Sequence, residues 1–341
     1  MSLLPFLHRI AANADLSVEE AHRAMGALLE GASSDPVIAA FLTALKMKGE
    51  TAAELTGFAR AMRERMIVVD AGADVIDTCG TGGDASGTFN ISTAAAFVMA
   101  GAGAHVAKHG NRSFASASGS ADVLEALGVR IAMTAEEAAY AVREIGIGFL
   151  FAPHLHPAMK FAGPVRRELK MRTVFNLLGP LVNPAGARHQ LIGAPSPGAA
   201  RLIAEALAAL ETNHAFVVHG HDGLDEVSTT GATDVWEITP SGIERLLWTP
   251  ADFGIRRATL AELAGGDPAC NARMIEQILA GRPSEQAGAP RDIVIVNAAA
   301  GLMAANLADS LPAAVAAAAQ AIDSGAAAHK LDQLKKNFPA S

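Results

Sequence analysis

Between Asp77 and Leu127 this chain of 341 residues gathers side chains suited to holding anions. Asp77-Thr-Cys-Gly-Thr-Gly-Gly-Asp84 is followed by Thr88-Phe-Asn-Ile-Ser-Thr93, then by Lys108-His-Gly-Asn-Arg-Ser113 and Ser118-Gly-Ser-Ala-Asp122. Glycines let backbone N–H groups approach a bulky anion, and a helix start offers unpaired N–H groups with a positive partial charge. Val75 and Ile76 read as a short strand leading into the glycines. A helix is predicted to begin near Ile91, with Asn90, Ser92 and Thr93 as side-chain donors at its start. Ala104–Ala107 reads as a second strand, ending in the cation Lys108 and the donors Asn111, Arg112 and Ser113. A lone glycine loop is more often a plain turn. Two donor-rich loops, each at a strand end, point instead to a ligand with more than one phosphate. The first loop lacks the Gly-Lys-Ser/Thr ending of a nucleotide phosphate loop, and it is not a G-x-G-x-x-G fingerprint.

Two further groups could do chemistry. In 156–184, Arg166, Arg167 and Arg172 could grip a carboxylate in bidentate fashion, although most arginines on a helix are merely solvated. The Gly-Pro and Asn-Pro pairs there mark a bent, hinge-like segment. Asp225 and Glu226 lie in the His219–Ser228 stretch that comes directly after an apolar run, Ala215–His219. Adjacent carboxylates at a strand end suit a hard cation such as Mg2+, and equally a solvated acidic turn. His219 and His221 hint at zinc, but no third ligand stands at a sensible spacing. His109 and His156 are plausible pocket walls.

Gly80-Thr-Gly-Gly-Asp84, Asn90-Ile-Ser-Thr93, Lys108-His-Gly-Asn-Arg112 and Gly119-Ser-Ala-Asp122 resemble the signature blocks of the anthranilate phosphoribosyltransferases, enzymes of tryptophan biosynthesis. The resemblance runs from about Leu3 to the C-terminal helices. It implies transfer of the 5-phosphoribosyl group from phosphoribosyl pyrophosphate to the amine of anthranilate, releasing pyrophosphate, with Mg2+ as cofactor. Because an arylamine is already neutral at pH 7, no dedicated general base is expected. Contacts to phosphoribosyl pyrophosphate are then implied at Gly80, Gly83, Asp84 and Thr88, and at Asn90, Ile91, Ser92 and Thr93. Further ones fall at Lys108, His109, Gly110, Asn111, Arg112, Ser113, Ser116 and Ser120. Gly80, Asn111 and Arg166 would meet anthranilate, and Ser92, Asp225 and Glu226 would hold the metal. A homodimer through the N-terminal helices, and a hinge closing them over the site, are also implied. The chain departs from the family pattern at Lys170, where a glycine is usual, and at Ala115 and Ala117 in the second loop. The first change should affect only helix termination, whereas the second puts phosphate contacts at 114–117 in doubt.

Two rival readings are a pyrimidine-nucleoside phosphorylase, which uses free phosphate and no metal, and a non-catalytic relative that binds nucleic acid. The Asp225-Glu226 pair and the Lys108–Arg112 block speak against the first. Against the second stands the charge balance: 27 Lys plus Arg against 35 Asp plus Glu, net -8. An acidic chain is a poor default binder of nucleic acid or anionic membrane.

The elements that must position these residues are read from period and caps. The length suits two domains. Residues 1–72 read as an all-helical domain, with capping boxes at Ser17–Glu20 and Thr51–Glu54, an Asp35-Pro36 helix start, and stops at Gly31 and Gly49. Its apolar faces exceed what three short helices can cover, so contact with the rest of the chain or a second subunit is expected. Residues 73–341 read as an α/β domain with a mainly parallel central sheet covered by helices, and 156–190 as a hinge or helical insertion. Its strands are expected at Val75–Thr78, Ala104–Ala107, Val129–Ile131, Gly148–Phe151, Gln190–Ala194 and Ala215–His219. Helices are expected at Ser120–Leu127 and after Thr134. The tail from Asp292 reads as Ala-rich helix without chemistry. From 85 to 104 no side chain is charged, but Asn90, hydroxyls and glycines make this a buried helix rather than a membrane span. Cys79 and Cys270 lack metal spacing and fit free thiols, and the N-terminus lacks a signal-peptide pattern, so a cytoplasmic location is expected.

Overall fold

A computed structural model describes residues 2–72, 74–82, 86–113, 117–281 and 288–340. Four helices come first: α1 (Leu4–Ala11), α2 (Val18–Leu29), α3 (Asp35–Lys48) and α4 (Ala52–Arg63). Both expected capping boxes form, at Ser17 and Thr51. The N-cap of α3 is Ser34, one residue before the expected Asp35. Glu54 does more than cap α4. Fully buried, it accepts the Leu16 N–H at 3.1 Å, the Thr51 N–H at 2.9 Å and the Lys48 ammonium at 3.0 Å, so one carboxylate ties three segments together. Helices α2 and α4 pack closely because position 57 is glycine; a Cβ there would lie 2.2 Å from the Val18 carbonyl oxygen.

The second part follows as β1 (Ile76–Asp77), α5 (Ile91–Gly101), β2 (Val106–Gly110), α6 (Ser120–Ala126), α7 (Ala135–Tyr140), β3 (Ile147–Phe151) and α8 (Ala152–Leu155). Then come α9 (Gly163–Leu169), α10 (Phe175–Leu178), β4 (His189–Gly193), α11 (Pro197–Ala209), β5 (His214–Gly220), β6 (Thr233–Thr239) and β7 (Gly242–Trp248). Helices α12 (Pro268–Leu279), α13 (Gly288–Ala304), α14 (Leu311–Asp323) and α15 (Ala326–Asn337) close the chain. The strands form one sheet in the order β3-β2-β1-β4-β5-β6-β7. The first five run parallel, and β6 and β7 are antiparallel. From β1 the chain moves outward through β2 and β3, then crosses back to lay β4 on β1's other side. That reversal opens a crevice outside the carboxyl ends of β1 and β4, the usual ligand position in such sheets.

Alternation along each strand divides the core. On β5, Phe216 and Val218 join the layer of α5, α6 and α12–α15, while Ala215 and Val217 join the layer containing α11. The N-terminal helices share this second core with Val165, Phe175, Leu178 and α11, so their surplus apolar surface is covered by the same chain. Among the described residues no helix is long and apolar enough to cross a membrane.

Three strand expectations need correction. Val129–Ile131 is not part of the sheet: Val129 makes only an isolated bridge to Pro339, with Arg130 N–H on the Phe338 carbonyl. Its alternation comes from burial against the C-terminal tail. The second strand is Val106–Gly110, two residues later than expected, so Lys108 and His109 lie within it. The hairpin β6–β7 was not anticipated, although Pro240-Ser241-Gly242 between two β-rich runs is a turn signal.

Candidate functional site

The crevice is built on three close approaches. Thr81, just past β1, donates its N–H (3.0 Å) and hydroxyl (3.2 Å) to the Gly193 carbonyl at the end of β4. The backbone of Asp225 then crosses Gly193 so closely that a Cβ on residue 193 would lie 1.6 Å from the Asp225 carbonyl oxygen. A Cβ on Gly80 would stand 3.5 Å from Asp225 Oδ2. Glu226 reaches the third element: its Oε1 accepts the Ser92 N–H, in the first turn of α5, at 3.1 Å. The acidic pair thus lies against the first glycine loop and the start of α5, although its sequence distance is over 130 residues.

Asp222 holds the loop that carries the pair. Its carboxylate accepts the Leu224 N–H at 3.1 Å, the Ser228 hydroxyl at 2.5 Å and the Thr230 hydroxyl. The donor set a cation could draw on is hard oxygen throughout: the Asp225 and Glu226 carboxylates, and the hydroxyl of Ser92, whose N–H Glu226 accepts and whose Oγ accepts from Lys108. Such a set fits Mg2+.

Lys108 is placed differently from its sequence expectation. It is 3% exposed and lies beneath the glycine loop, its ammonium on the Thr78 carbonyl (2.8 Å), the Thr78 hydroxyl (3.0 Å) and the Ser92 hydroxyl (3.3 Å). Burial lowers its pKa, while Asp77, Cys79 and Glu226 oppose that shift. A cation under the loop ties β1, β2 and α5 together and adds positive potential from below. Asp77 Oδ1 likewise accepts the His109 N–H at 3.0 Å. Asp77, Cys79 and His109 bring ligand-type atoms within 4.8 Å of one another, with Lys108 close to Asp77 and Cys79.

The other expected residues divide. Asn90 does not cap α5; its amide donates to the Ser118 carbonyl (3.0 Å) and its oxygen accepts from Ser118 (3.1 Å) and Asn271 (3.0 Å), joining both loops to α12. Ile91 and Thr93 are buried, so Thr93 points into the core rather than out of the helix start. Thr88 bonds Ser86 and forms a bridge with Ala264. Gly110 ends β2 and Asn111 follows it, with Ser120 donating to the Asn111 carbonyl. Arg112 is engaged by Asp122 (3.0 Å) and Glu125 (2.5 Å), which raise its pKa and fasten it to α6. Ser113 and Gly119 both donate backbone N–H groups to Asp122 Oδ2. Gly83, Asp84 and Ser116 lie outside the described residues. His219 Nδ1 is on the Ala194 carbonyl, and His221 is on Asp234.

Arg166 projects from α9. Its guanidinium carbon stands 5.1 Å from the Phe175 ring centroid, burial lowers its pKa, and it has no side-chain hydrogen bond or ion pair among the described residues. Arg167 is exposed. Lys170, the C-cap of α9, has φ 47°, the left-handed conformation that glycine adopts most easily.

Four residues past Phe175, the Gly179 carbonyl accepts His109 Nδ1–H at 3.1 Å, and the buried His109 Nε2 has no hydrogen-bond partner among the described residues. The His156 ring lies 5.1 Å away, its Nε2 likewise without a partner among them. Burial pushes His109 down to about 3 and His156 to about 4. An unfolded chain would take up these protons near 6.5, so unfolding gains protons below that pH and stability is lost as pH falls toward 4. Asp77, raised to about 6 by burial, acts in the opposite sense over part of the window. Two histidines outweigh one carboxyl by about 1.4 kcal/mol per pH unit. The thermal midpoint should therefore decline from pH 6.5 to 4.5, and His156→Asn should flatten the decline; an unchanged slope would count against buried neutral imidazoles.

The chain matches a glycosyl transferase family in two pieces, its helical bundle domain over residues 4–66 and its a/b domain over residues 72–328. It is 57% identical to the anthranilate phosphoribosyltransferase of Solibacter usitatus over 100% of both chains, and 50% identical to that of Chloroflexus aurantiacus over 98% of each. The crystal structure of anthranilate phosphoribosyltransferase from Thermus thermophilus superposes with a TM-score of 0.90 at 42% identity, covering 97% of this chain and 98% of that one. The Saccharomyces cerevisiae enzyme in complex with PRPP and Mg gives 0.90 at 29% identity, covering 98% and 97%.

Proposed function

This chain belongs to the family of anthranilate phosphoribosyltransferases, and on that premise we propose how its residues carry out the family's reaction. The enzyme transfers the 5-phosphoribosyl group of phosphoribosyl pyrophosphate to the amine of anthranilate, releasing pyrophosphate, in tryptophan biosynthesis. The observation that carries the residue assignment is the meeting of Asp225 with Gly80 and of Glu226 with the first turn of α5.

Ser92, Asp225 and Glu226 are the residues that would hold Mg2+. Magnesium bound there would neutralise charge on the departing pyrophosphate. The chain's own part is to keep polar groups fixed where negative charge grows, which costs no reorganisation during the reaction. Glycine-loop N–H groups other than that of Thr81 would face the diphosphate, and Lys108 ties together the residues flanking that loop through Thr78 and Ser92. Asn90 keeps the second loop, with Asn111, Gly110, Ser113 and Ser120, in register with the first. Arg166 offers a guanidinium fork to anthranilate's carboxylate, and Gly80 and Asn111 complete that contact. An arylamine is neutral at pH 7, so its lone pair attacks C1 of the ribose as the bond to pyrophosphate breaks, and the proton the nitrogen then sheds goes to water or the released pyrophosphate without a dedicated base. Alignment of the two substrates supplies the remaining acceleration.

Residues 156–190 would act as the hinge that brings the helical domain (1–72) toward the α/β domain (73–341) when substrates bind. A cytoplasmic homodimer through the helical domain belongs to the same reading; exposed Leu4 and Met47 offer apolar surface there. Anthranilate fluorescence should fall when phosphoribosyl pyrophosphate and Mg2+ are both added, and hold steady when either is omitted. Steady fluorescence with everything present would overturn the assignment.

A further inference from the structure

Helix α13 is built almost wholly of apolar residues, yet Asn297 lies at its centre with 0% exposure. A buried amide is costly unless satisfied, and this one is spent chiefly on a single residue of another loop. Its Oδ1 accepts the Val227 N–H at 2.9 Å and its Nδ2 donates to the Val227 carbonyl at 3.0 Å, with a second donation to Ile293 at 2.9 Å. Both polar groups of Val227 are therefore clamped, directly after Glu226.

The same pair of helices fixes Glu226 from its other end. Glu226 rests on the Ser92 N–H of α5, and α5 packs against α13 so tightly that a Cβ on Gly301 would lie 2.0 Å from Met99 Sδ. Side chain and following peptide are anchored to one rigid two-helix unit. We propose that Asn297 is a positioning residue for the Mg2+ carboxylates, acting through Val227; the proposal rests on the metal reading of Asp225 and Glu226.

Asn297→Asp keeps the acceptor for the Val227 N–H and removes the donor to its carbonyl, with little change of volume. It should raise the Mg2+ concentration for half-maximal activity about tenfold, the usual cost of losing an outer-shell support. Mn2+ affinity, read from the free-ion EPR signal in the presence of phosphoribosyl pyrophosphate, should weaken in step, while the anthranilate KM stays within twofold or so. Asn297→Ser repeats the test without a new charge. Leu302→Ala, on the same helix, controls for general loosening and should lower the thermal midpoint with metal dependence unchanged. A lower midpoint with unaltered metal dependence in the Asn297 variants, or failure of both to fold, overturns the proposal in favour of a purely structural amide. Glu226→Gln separates the two readings: if it too leaves metal dependence unchanged, the metal site itself is wrong.

Discussion

Replacing Asp225 and Glu226 together by alanine is expected to lower kcat/KM by roughly a thousandfold, with the remaining activity nearly insensitive to added Mg2+. Departure of pyrophosphate from C1 leaves an oxocarbenium-like sugar and places new negative charge on the leaving group. Neutralising that charge in a crevice shielded from water is worth several kcal/mol, and each 1.4 kcal/mol or so is a factor of ten in rate. The single variants should not be equivalent. Glu226 also accepts the Ser92 N–H, so Glu226→Ala removes an anchor of the loop as well as a carboxylate. Asp225 faces Gly80 and Gly193, so Asp225→Asn keeps the shape of the crevice and isolates the charge. Steady-state rates over a Mg2+ series, with folding checked by circular dichroism, are the measurement. Unchanged kinetics in the double variant would refute the metal assignment.

Arg166→Ala should raise the anthranilate KM ten- to a hundredfold, in line with the ~1.5–3 kcal/mol of a charge-assisted hydrogen bond, and leave the KM for phosphoribosyl pyrophosphate close to its starting value. The reason is an imbalance visible around the residue. A partly desolvated guanidinium, stacked on Phe175 but without hydrogen bond or ion pair among the described residues, costs stability that a bound carboxylate would offset. The same imbalance gives a second readout: the substrate-free variant should lose little thermal stability, only the ring contact. Arg166→Lys keeps the charge without the planar fork and should fall between the two. An anthranilate KM unmoved by Arg166→Ala would remove this residue from the site.

The local devices were readable from the chain because they depend on neighbours in sequence. Ser17 and Thr51 sit three residues before a glutamate, and both boxes form. The glycine block before Asn90 read as a turn leading into a helix near Ile91, and α5 starts there. Val129–Ile131 misled for a physical reason: alternation reports burial on one side, and the C-terminal tail buries these residues as effectively as a sheet would. Lys108 reads from sequence as a cation beside a glycine loop; only the fold shows that its strand buries it, with Thr78 and Ser92 as partners. Arg112 offers five donors to any anion, and which anion reaches it depends on where α6 places Asp122 and Glu125.

By itself the sequence determined the chemistry carried by each segment: donors at 80–93 and 108–113, carboxylates at 225 and 226, a guanidinium at 166. The type of most elements followed as well, Val129–Ile131 and the β6–β7 hairpin apart, since periodicity and caps act over a few residues. Only the tertiary structure decided which of these meet. The return of β4 to the far side of β1 places Gly193 under Asp225, and the packing of α13 on α5 sets Asn297 behind Glu226. Such contacts join residues a hundred or more apart in some cases, and no local spacing encodes them. They arise because each strand and helix must bury its own apolar face, and the loops between them go where that burial leaves room.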